Sequence, residues 1–226
     1  MASLTIENYV KAIYQISSAQ EGRPATTGQL AETLHVSPSS VTSMLKTLSE
    51  SGLAMYVKYG GADLTDAGRA LALRVLRRHR LIELFLSQTL QLTWDEVHAE
   101  AENMEHAVSD LLIDRIDAFL KYPASDPHGD PIPRADGTVT AAPTVRLSEL
   151  NAGDDFRIER VIDQSPEFLR FLADTGLKPG VEGRVTTNRP EAGVVSFEIT
   201  ASENTATENL STPLAQKLLV SRPRKG

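Results

Sequence analysis

Residues 98–106, HAEAENMEH, place two imidazoles and three carboxylates within nine positions of the chain. Each residue of an α-helix turns by about 100°, so His98, Glu102, Glu105 and His106 share one helix face. Imidazole nitrogens and carboxylate oxygens bind divalent ions such as Mn²⁺, Fe²⁺, Co²⁺ and Zn²⁺. The alternative is an acidic, solvated helix, but carboxylates crowded on one face repel each other without a cation. The pattern therefore predicts a metal site.

Two long helical patterns carry these side chains. The first begins at Thr65 and contains His79 and Glu83, four positions apart and on one face. The second begins near Thr93, runs towards Tyr122 and contains HAEAENMEH. Three of the five histidines of the chain thus stand beside glutamate at helical spacing. We expect a metal cage built from two helices.

The composition of the chain indicates the cellular compartment in which the protein is expected. The chain has 226 residues and no cysteine, which excludes disulfides and thiolate ligands and fits a reducing cytoplasm. The N-terminal residues do not resemble a signal peptide, and no apolar run approaches the ~18 residues of a membrane span. We therefore expect a cytoplasmic protein with no membrane partner.

Charge is distributed unevenly along the chain, although the net charge is −7. Residues 23–80 carry eight basic and four acidic side chains, whereas residues 81–150 carry four basic and thirteen acidic ones. This asymmetry predicts an anionic partner for the first segment and a cation for the second.

The basic segment has the order of a winged helix-turn-helix. A short helix, with Thr27 as its N-cap, precedes a second helix that Ser37 caps, Pro38 opens and Gly52 ends. Two strand-like runs follow around a turn at residues 60–61. This order of elements, together with the local positive charge, indicates DNA binding.

The side chains predicted to contact DNA are short hydroxyl groups near the two helices and basic or aromatic groups beyond them. They are Thr27, Ser37, Ser39, Ser40, Thr42, Ser43, Lys46, Lys58 and Tyr59. Lys46 suits a phosphate contact, and Lys58 and Tyr59 suit a phosphate or the minor groove. Any one of these residues alone is more typical of ordinary polar surface than of a DNA contact.

The remaining sequence suggests two further domains. Residues 123–143 hold five of the twelve prolines and are typical of a linker or an irregular connection. Several short strand-like runs and one helical piece then predict a small β-barrel. The predicted boundaries are residues 1–72 for DNA binding, 73–140 for metal binding and dimerisation, and 145–226 for the barrel. Apolar stripes in the middle domain predict a homodimer, although they also serve an internal core.

The segments ENYVKAIYQI, SPSSVTSMLKTLSESGL, LTDAGRALA, RRHRLIE, VHAEAENMEHAVSD and PHGDPIP resemble the diphtheria toxin repressor family of metal-dependent transcription regulators. The resemblance covers nearly the whole chain. It implies a mainly α protein with a C-terminal all-β domain: a winged helix-turn-helix, a helical dimerisation domain and an SH3-like barrel. It also implies a homodimer that binds double-stranded DNA with an inverted-repeat operator and represses genes of metal homeostasis.

The resemblance implies two neighbouring metal sites. One site corresponds to Glu102, Glu105, His106 and Asn8. The other corresponds to His79, Glu83, His98 and an acidic residue of the barrel, for which Asp163 is the best match and Glu167 the weaker one.

Departures from the family pattern bear on the choice of metal. Iron-type members carry cysteine at the position of Glu102 and methionine at that of Asn8, so the hard oxygen of Glu102 favours Mn²⁺ over Fe²⁺. Manganese-type members usually carry aspartate at the Asn8 position, and some carry a second acidic ligand where this chain has Lys11. The binuclear geometry of that manganese-type subgroup is therefore not expected here, and Mn²⁺ is predicted, with Fe²⁺ as the alternative. Zn²⁺ or Co²⁺ also binds such donors in vitro.

Two other functions fit parts of the sequence. Paired His/Glu helices also build metal-dependent hydrolases or oxidases, although an enzyme leaves the winged helix unexplained. A metal-independent winged-helix regulator leaves the metal cluster without a purpose. Turnover of an ester would support the first alternative, and operator binding that ignores a chelator would support the second.

Overall fold

The computed structural model describes residues 3–201 and 204–222. The chain forms two compact units. The first unit comprises the residues up to His79, with residues 102–114 and 133–139. The second unit comprises residues 80–101 and 115–132 and those from Thr140 onward.

The first unit contains the winged helix-turn-helix. Its elements are α1 (Leu4–Ala19), α2 (Thr27–Thr33), α3 (Pro38–Glu50), β1 (Ala54–Val57), β2 (Gly61–Leu64) and the first part of α4 (Asp66–Leu90). Strands β1 and β2 pair antiparallel, as predicted. One apolar core joins these elements, and its fully buried members include Val10, Ile13, Leu30, Val41, Leu45 and Leu48. The core fixes the orientation of α3 relative to α1.

Helix caps explain where the short helices begin. The Ser37 hydroxyl accepts the Ser40 N–H at 3.1 Å, and Pro38 occupies the first turn, as predicted. The prediction of Thr27 as the cap of α2 was wrong, because Thr26 is the N-cap. Gln29 stands three positions after Thr26, and the two residues form a reciprocal capping box.

The predicted helix from Thr93 to Tyr122 is in fact two helices, so that prediction was wrong. Helix α5 (Val97–Met104) ends before Glu105, and α6 begins at Asp110 and ends at Phe119. The Ser109 hydroxyl accepts the Leu112 N–H at 3.3 Å, so Ser109 caps a new helix. Glu105 and His106 therefore lie in a turn and do not continue the α5 face.

The second unit contains the predicted all-β domain. Its strands are β3 (Val145–Arg146), β4 (Asp155–Val161), β5 (Glu182–Arg189), β6 (Val194–Ala201), β7 (Asn204–Ser211) and β8 (Leu218–Ser221). They form one antiparallel sheet in the order β3-β8-β4-β5-β6-β7. Helices α7 (Pro166–Asp174) and α8 (Thr212–Ala215) accompany it. The core includes Phe156, Ile158, Leu169, Val185, Phe197 and Val220.

The proline-rich segment is more than a connection. Asp126, His128, Asp130 and Ile132 are all buried within it. Three of these four side chains are polar, and a fold buries such groups only where partners compensate them. Among the described helices, none is long and apolar enough to cross a membrane.

Candidate metal centres and DNA interface

A cluster of polar side chains in the first unit, here called the first group, joins α1 to the α5–α6 turn. Its members are Glu7, Asn8 and Lys11 of α1, His79 of α4, Glu102 of α5, and Glu105 and His106 of the turn. All but Glu102 and Asn8 have side chains that are at most 10% exposed.

Glu105 lies at the centre of the first group. Its Oε2 lies 2.6 Å from His79 Nδ1, and its Oε1 accepts a hydrogen bond from Lys11 Nζ, also at 2.6 Å. Burial opposes the charged form of Glu105, but the hydrogen bond and charge of His79, together with Lys11, outweigh it. The pKa of Glu105 therefore lies below its ordinary value.

His106 links the same turn to α1. Its Nδ1 lies 2.6 Å from Glu7 Oε2, and its Nε2 lies 2.7 Å from Asn8 Oδ1. A cavity of about 830 Å³ reaches Glu7 and His106, which gives an ion a path to the group. The sequence argument missed Glu7, although it directly precedes Asn8 in the first turn of α1. The nitrogen and oxygen donors present here fit a divalent ion.

A second cluster, here called the second group, lies in the second unit and consists of Glu83, Asp126 and His128. One donor atom from each lies within 4.8 Å of the others, and all three residues are buried. His98 joins this group from α5, with its Nδ1 at 3.2 Å from Glu83 Oε1. Sequence reasoning missed Asp126 and His128, although both lie in or beside the quoted PHGDPIP segment.

The orientation of His128 suits metal binding. Its Nε2 lies 2.8 Å from the Trp94 carbonyl oxygen, and its ring stacks on the Trp94 ring with centroids 5.9 Å apart. A carbonyl only accepts, so Nε2 donates this hydrogen bond, and in a neutral ring this leaves the lone pair of Nδ1 available to a metal ion. Nδ1 lies 3.9 Å from Glu83 Oε2 and 4.0 Å from Asp126 Oδ1. It has no hydrogen-bond partner among the described residues.

Asp126 is a buried carboxylate without enough compensating charge. Burial and the neighbouring carboxylates of Asp130 and Glu83 raise its pKa well above the ordinary value, against the opposing effect of Arg80. Its Oδ2 also has no hydrogen-bond partner in the described part of the chain, although Arg80 Nε lies 3.7 Å away. A divalent cation would satisfy both orphaned atoms, so these residues fit a metal ion.

The predicted ligands His79, Glu83 and His98 do not all belong to one of the two units. His79 belongs to the first unit, where it contacts Glu105, whereas Glu83 and His98 belong to the second. The set of His79, Glu83 and His98 thus draws on both units and stays a prediction.

The two barrel candidates have other partners. Asp163 accepts hydrogen bonds from Lys217 Nζ at 2.6 Å and from the Ser165 N–H at 2.9 Å. Glu167 is exposed and lies 3.8 Å from Arg170. The structure brings neither residue into the two groups of described side chains, so a barrel ligand also stays a prediction.

The predicted DNA-contacting residues lie on the surface of the first unit. Ser37, Ser39, Ser43 and Lys46 are exposed, and Thr42 is half-buried. The Ser37 hydroxyl lies 2.8 Å from that of Ser39 and 2.9 Å from that of Ser40. The start of α3 therefore presents a compact patch of hydroxyls to a DNA partner.

The turn between β1 and β2 forms the tip of the wing. Tyr59 is 95% exposed there and has a positive φ of 64°. Lys58 Nζ lies 5.1 Å from the centre of the Tyr59 ring. Thr27, by contrast, is half-buried in α2. These positions leave the assignment of individual DNA contacts a prediction.

A winged helix-turn-helix whose first helix also carries side chains suited to a divalent ion indicates a metal-dependent DNA-binding regulator. Comparison with known families agrees. The chain matches the iron dependent repressor N-terminal DNA binding domain over residues 1–62 and the metal binding and dimerisation domain over residues 65–134. Residues 145–222 match the FeoA domain. The chain belongs to the iron-dependent repressor family, which confirms the resemblance to the diphtheria toxin repressor.

Individual relatives cover nearly the whole chain. The iron-dependent repressor IdeR of Mycobacterium leprae (strain TN) is 34% identical over 213 aligned positions, and the match covers 88% of this chain and 90% of that protein. A solved manganese-dependent transcriptional repressor in complex with manganese is 42% identical, with a TM-score of 0.87 over 96% of this chain and 100% of that one. The structure of ScaR with bound Zn²⁺ is 32% identical, with a TM-score of 0.78 over 96% and 99%.

These comparisons confirm the main functional prediction and the fold class. The protein is a metal-dependent transcriptional repressor with a DNA-binding domain, a dimerisation domain and a β-rich domain. The family consists of DNA-binding repressors, which decides against the hydrolase or oxidase alternative.

Proposed function

We propose that the protein is activated by Mn²⁺ and then binds, as a homodimer, an inverted-repeat operator in double-stranded DNA. Fe²⁺ is the alternative ion. The observation that carries the proposal is the double role of α1, which contributes to the core of the winged helix and to the first group.

Two faces of α1 perform these roles. Val10 and Ile13 are fully buried in the core that also holds Val41 and Leu45 of α3. Glu7 and Asn8, on another face, contact His106. Whatever fixes the α5–α6 turn against α1 therefore also fixes α3, the helix that is proposed to contact DNA and is here called the reading helix.

A divalent ion bound in the first group supplies positive charge and coordination bonds that hold carboxylates and imidazoles together. Glu102, Glu105, His106 and Asn8 are the proposed ligands from the sequence, and Glu7 and His79 extend the donor set. The linkage to DNA needs only the ~1–3 kcal/mol that is typical of allosteric coupling.

The donor set supports Mn²⁺ as the activating ion. Carboxylate, amide and imidazole donors suit Mn²⁺, whereas soft thiolates select other metals. The chain contains no cysteine. The solved relative with 42% identity is itself described as manganese-dependent. Zn²⁺ and Co²⁺ bind such sites more tightly in vitro by the general order of metal affinities, so affinity alone does not identify the signal.

Exposed apolar side chains support the homodimer. Leu111, Leu112 and Phe119 of α6 are 69%, 47% and 65% exposed, and Leu90 at the end of α4 is 59% exposed. Other members of the predicted stripes, such as Leu81, are buried in the monomer. Large exposed apolar side chains of this kind mark interaction surfaces. In the dimer, two winged helix-turn-helix domains would contact two half-sites of the DNA. The centres of these half-sites would be about one helical turn, or a multiple of it, apart.

The test is a DNA-binding titration with Mn²⁺, Fe²⁺ (under anaerobic conditions), Zn²⁺ and a chelator. The probe is the promoter DNA of the gene's own neighbourhood, and the control is the same duplex with one half of its inverted repeat scrambled. We expect Mn²⁺ to strengthen binding at least about ten-fold, in line with the coupling energy above. Equal binding in chelator would instead support a metal-independent regulator.

Lys46 provides a second test of the DNA interface. It is exposed on α3 and is proposed to contact a phosphate. Lys46→Ala should weaken binding to all sequences and reduce the slope of log affinity against log salt by about one. The matched control is Lys178→Ala, which lies in the second unit outside the proposed DNA surface. An unchanged salt slope in Lys46→Ala would refute the phosphate contact.

A further inference from the structure

The turn that carries Asp126 and His128 is tightly tied within itself. Asp126 Oδ1 accepts the N–H groups of His128 at 2.8 Å and of Asp130 at 2.9 Å. The Asp126 N–H donates to the Asp130 carbonyl oxygen at 3.0 Å. The position of Asp130 therefore sets the positions of the two donors in the second group.

Asp130 is held in turn by side chains of the β-rich domain, residues 145–222. Its Oδ1 forms an ion pair with Arg160 Nη2 of β4 at 2.5 Å, and Arg80 Nη2 lies 3.5 Å away. Its Oδ2 accepts a hydrogen bond from Gln164 Nε2 at 2.7 Å. Asp130 itself is only 5% exposed, so the charge of Arg160 acts on it at low dielectric, where electrostatic attraction is strong. The contact with Arg160 is an ion pair, because Oδ1 has no hydrogen-bond partner among the described residues.

The backbone of β4 lies directly against the same turn. The Val161 N–H donates to the His128 carbonyl oxygen at 2.9 Å. Gly129 has a φ of +87°, and a Cβ on it would lie 1.9 Å from the Glu159 carbonyl oxygen. Only glycine allows this approach, so the turn and the strand fit together without free space.

We propose that the β-rich domain acts as a rigid support for the second group, and that Arg160 is a positioning residue that acts through Asp130. The inference rests on the proposed function, because it concerns the ion that the second group would bind. Residues that orient a ligand without touching the metal typically change metal affinity 10- to 100-fold. Arg160 is such a residue here, and the domain has a role in metal binding that does not require it to donate a ligand.

The experiment compares Arg160→Gln with Arg157→Gln in the full-length protein. Arg157 lies on the same strand, but its side chain is half exposed and lies 3.8 Å from Glu182 and 4.0 Å from Glu159, so it is the matched control. The probe is quenching of tryptophan fluorescence by Mn²⁺ alone. The chain has a single tryptophan, Trp94, and its ring stacks on His128. Loss of the signal in His128→Ala assigns it to the second group.

We expect Arg160→Gln to raise the Mn²⁺ concentration at half-quenching about ten-fold or more, with Arg157→Gln unchanged and Arg160→Lys in between. Thermal unfolding in chelator checks that each variant is folded. If Arg160→Gln does not fold, Gln164→Ala removes the other bond to Asp130 and should weaken binding about three-fold or more.

Two failures are distinguishable. An unchanged midpoint in a folded Arg160→Gln, or in Gln164→Ala where the first variant does not fold, overturns the positioning role. The absence of any His128-dependent quenching in the unmodified protein overturns the second group itself, and with it that part of the proposed function.

Discussion

The two groups of metal-ligand side chains differ in how the chain balances their charge. In the first group, Lys11 Nζ lies 2.7 Å from Glu102 Oε1 and 2.6 Å from Glu105 Oε1, and the pKa of Glu105 is lowered. In the second group, the pKa of Asp126 is raised well above its ordinary value, and His128 Nδ1 lacks a hydrogen-bond partner among the described residues. The chain itself stabilises the first cluster and leaves the second in need of a cation.

This difference suggests a division of roles. A cluster that its own side chains already hold together should gain less free energy from an ion, so we expect the first group to bind Mn²⁺ with moderate affinity, as a sensing site requires. A buried cluster with poorly compensated carboxylates should gain more, so we expect the second group to bind Mn²⁺ more tightly and to have a structural role. Helix α1 belongs both to the first group and to the winged helix-turn-helix. We therefore expect the first group to be the one that is coupled to DNA binding.

Replacing one histidine in each group by alanine should give the largest changes in Mn²⁺ binding and in DNA binding. His128→Ala should weaken the tighter Mn²⁺ site by about 100-fold or more, since a direct ligand matters at least as much as a residue that orients one. His106→Ala should leave that site intact and abolish Mn²⁺-stimulated DNA binding. Isothermal titration calorimetry and fluorescence anisotropy with operator DNA measure the two effects. Loss of the same binding step in both variants would break the division of roles.

Removing one carboxylate charge from each group should change stability in opposite directions. Glu105→Gln removes a charge that His79 and Lys11 stabilise, so the free energy of unfolding in chelator should fall by about 2 kcal/mol. Asp126→Asn removes a charge that burial, Asp130 and Glu83 disfavour, so the free energy of unfolding at pH 8 should rise. Urea denaturation measures both variants.

The pH dependence of the same experiment has a definite sign. The folded pKa of Asp126 lies above its unfolded value, so the folded state binds the proton more tightly. Without metal, the contribution of Asp126 to the free energy of unfolding therefore falls as the pH rises from the pKa of Asp126 in the unfolded chain towards its pKa in the folded protein. The advantage of Asp126→Asn should grow over that range. A constant difference between variant and unmodified protein would contradict the raised pKa.

The sequence predicted the parts of the fold that local patterns control. The cap at Ser37, the ribbon of β1 and β2, and the long helix α4 all follow from periodicity and turn residues. The helix break before Ser109 was not predicted, because an apolar pattern with helical spacing continues through it. The Ser109 hydroxyl is a single capping signal within the long pattern from Thr93 to Tyr122. The prediction that His98 and His106 share one helix face therefore assumed a continuous helix, whereas α5 ends at Met104.

The metal centres were only partly predictable for a similar reason. Glu102, Glu105 and His106 stand close in sequence, so their chemistry is visible in a short window. Asp126 and His128 lie in a proline-rich segment without periodicity, and their burial depends on packing against β4. No local pattern reports such packing, and a short D-x-H spacing is a weak signal by itself.

Lys11 offers a further way to test the contrast between the groups. Lys11→Met keeps an unbranched side chain that is only one atom shorter, and removes the ammonium that would compete with an ion for Glu102 and Glu105. The Mn²⁺ affinity of the first group should rise about ten-fold, since a unit charge at this distance is worth a few kcal/mol at most in a partly solvated site. Calorimetry in the His128→Ala background isolates this site.

The matched control for Lys11→Met is Lys11→Arg, which retains the positive charge and should bind Mn²⁺ much as the unmodified protein does. Stability in chelator should fall in Lys11→Met, because Glu102 and Glu105 then lose the ammonium that lies between them and keep only His79 nearby. Unchanged Mn²⁺ affinity, with that loss of stability, would show that the ammonium does not oppose the ion.

Asn8 is the subtlest member of the first group. Its Oδ1 lies 2.7 Å from His106 Nε2, so an aspartate at the same place keeps the shape of the side chain and adds a negative charge. Asn8→Asp should raise Mn²⁺ affinity about three- to five-fold, because a hard anionic oxygen suits Mn²⁺ better than a neutral one. Asn103→Asp is the control, since Asn103 is exposed and lines the cavity that reaches Glu7 and His106. An equal gain in both variants would mean that general electrostatic attraction acts and that Asn8 is not a ligand. A gain confined to Asn8→Asp would place the ion beside α1, where it controls the reading helix.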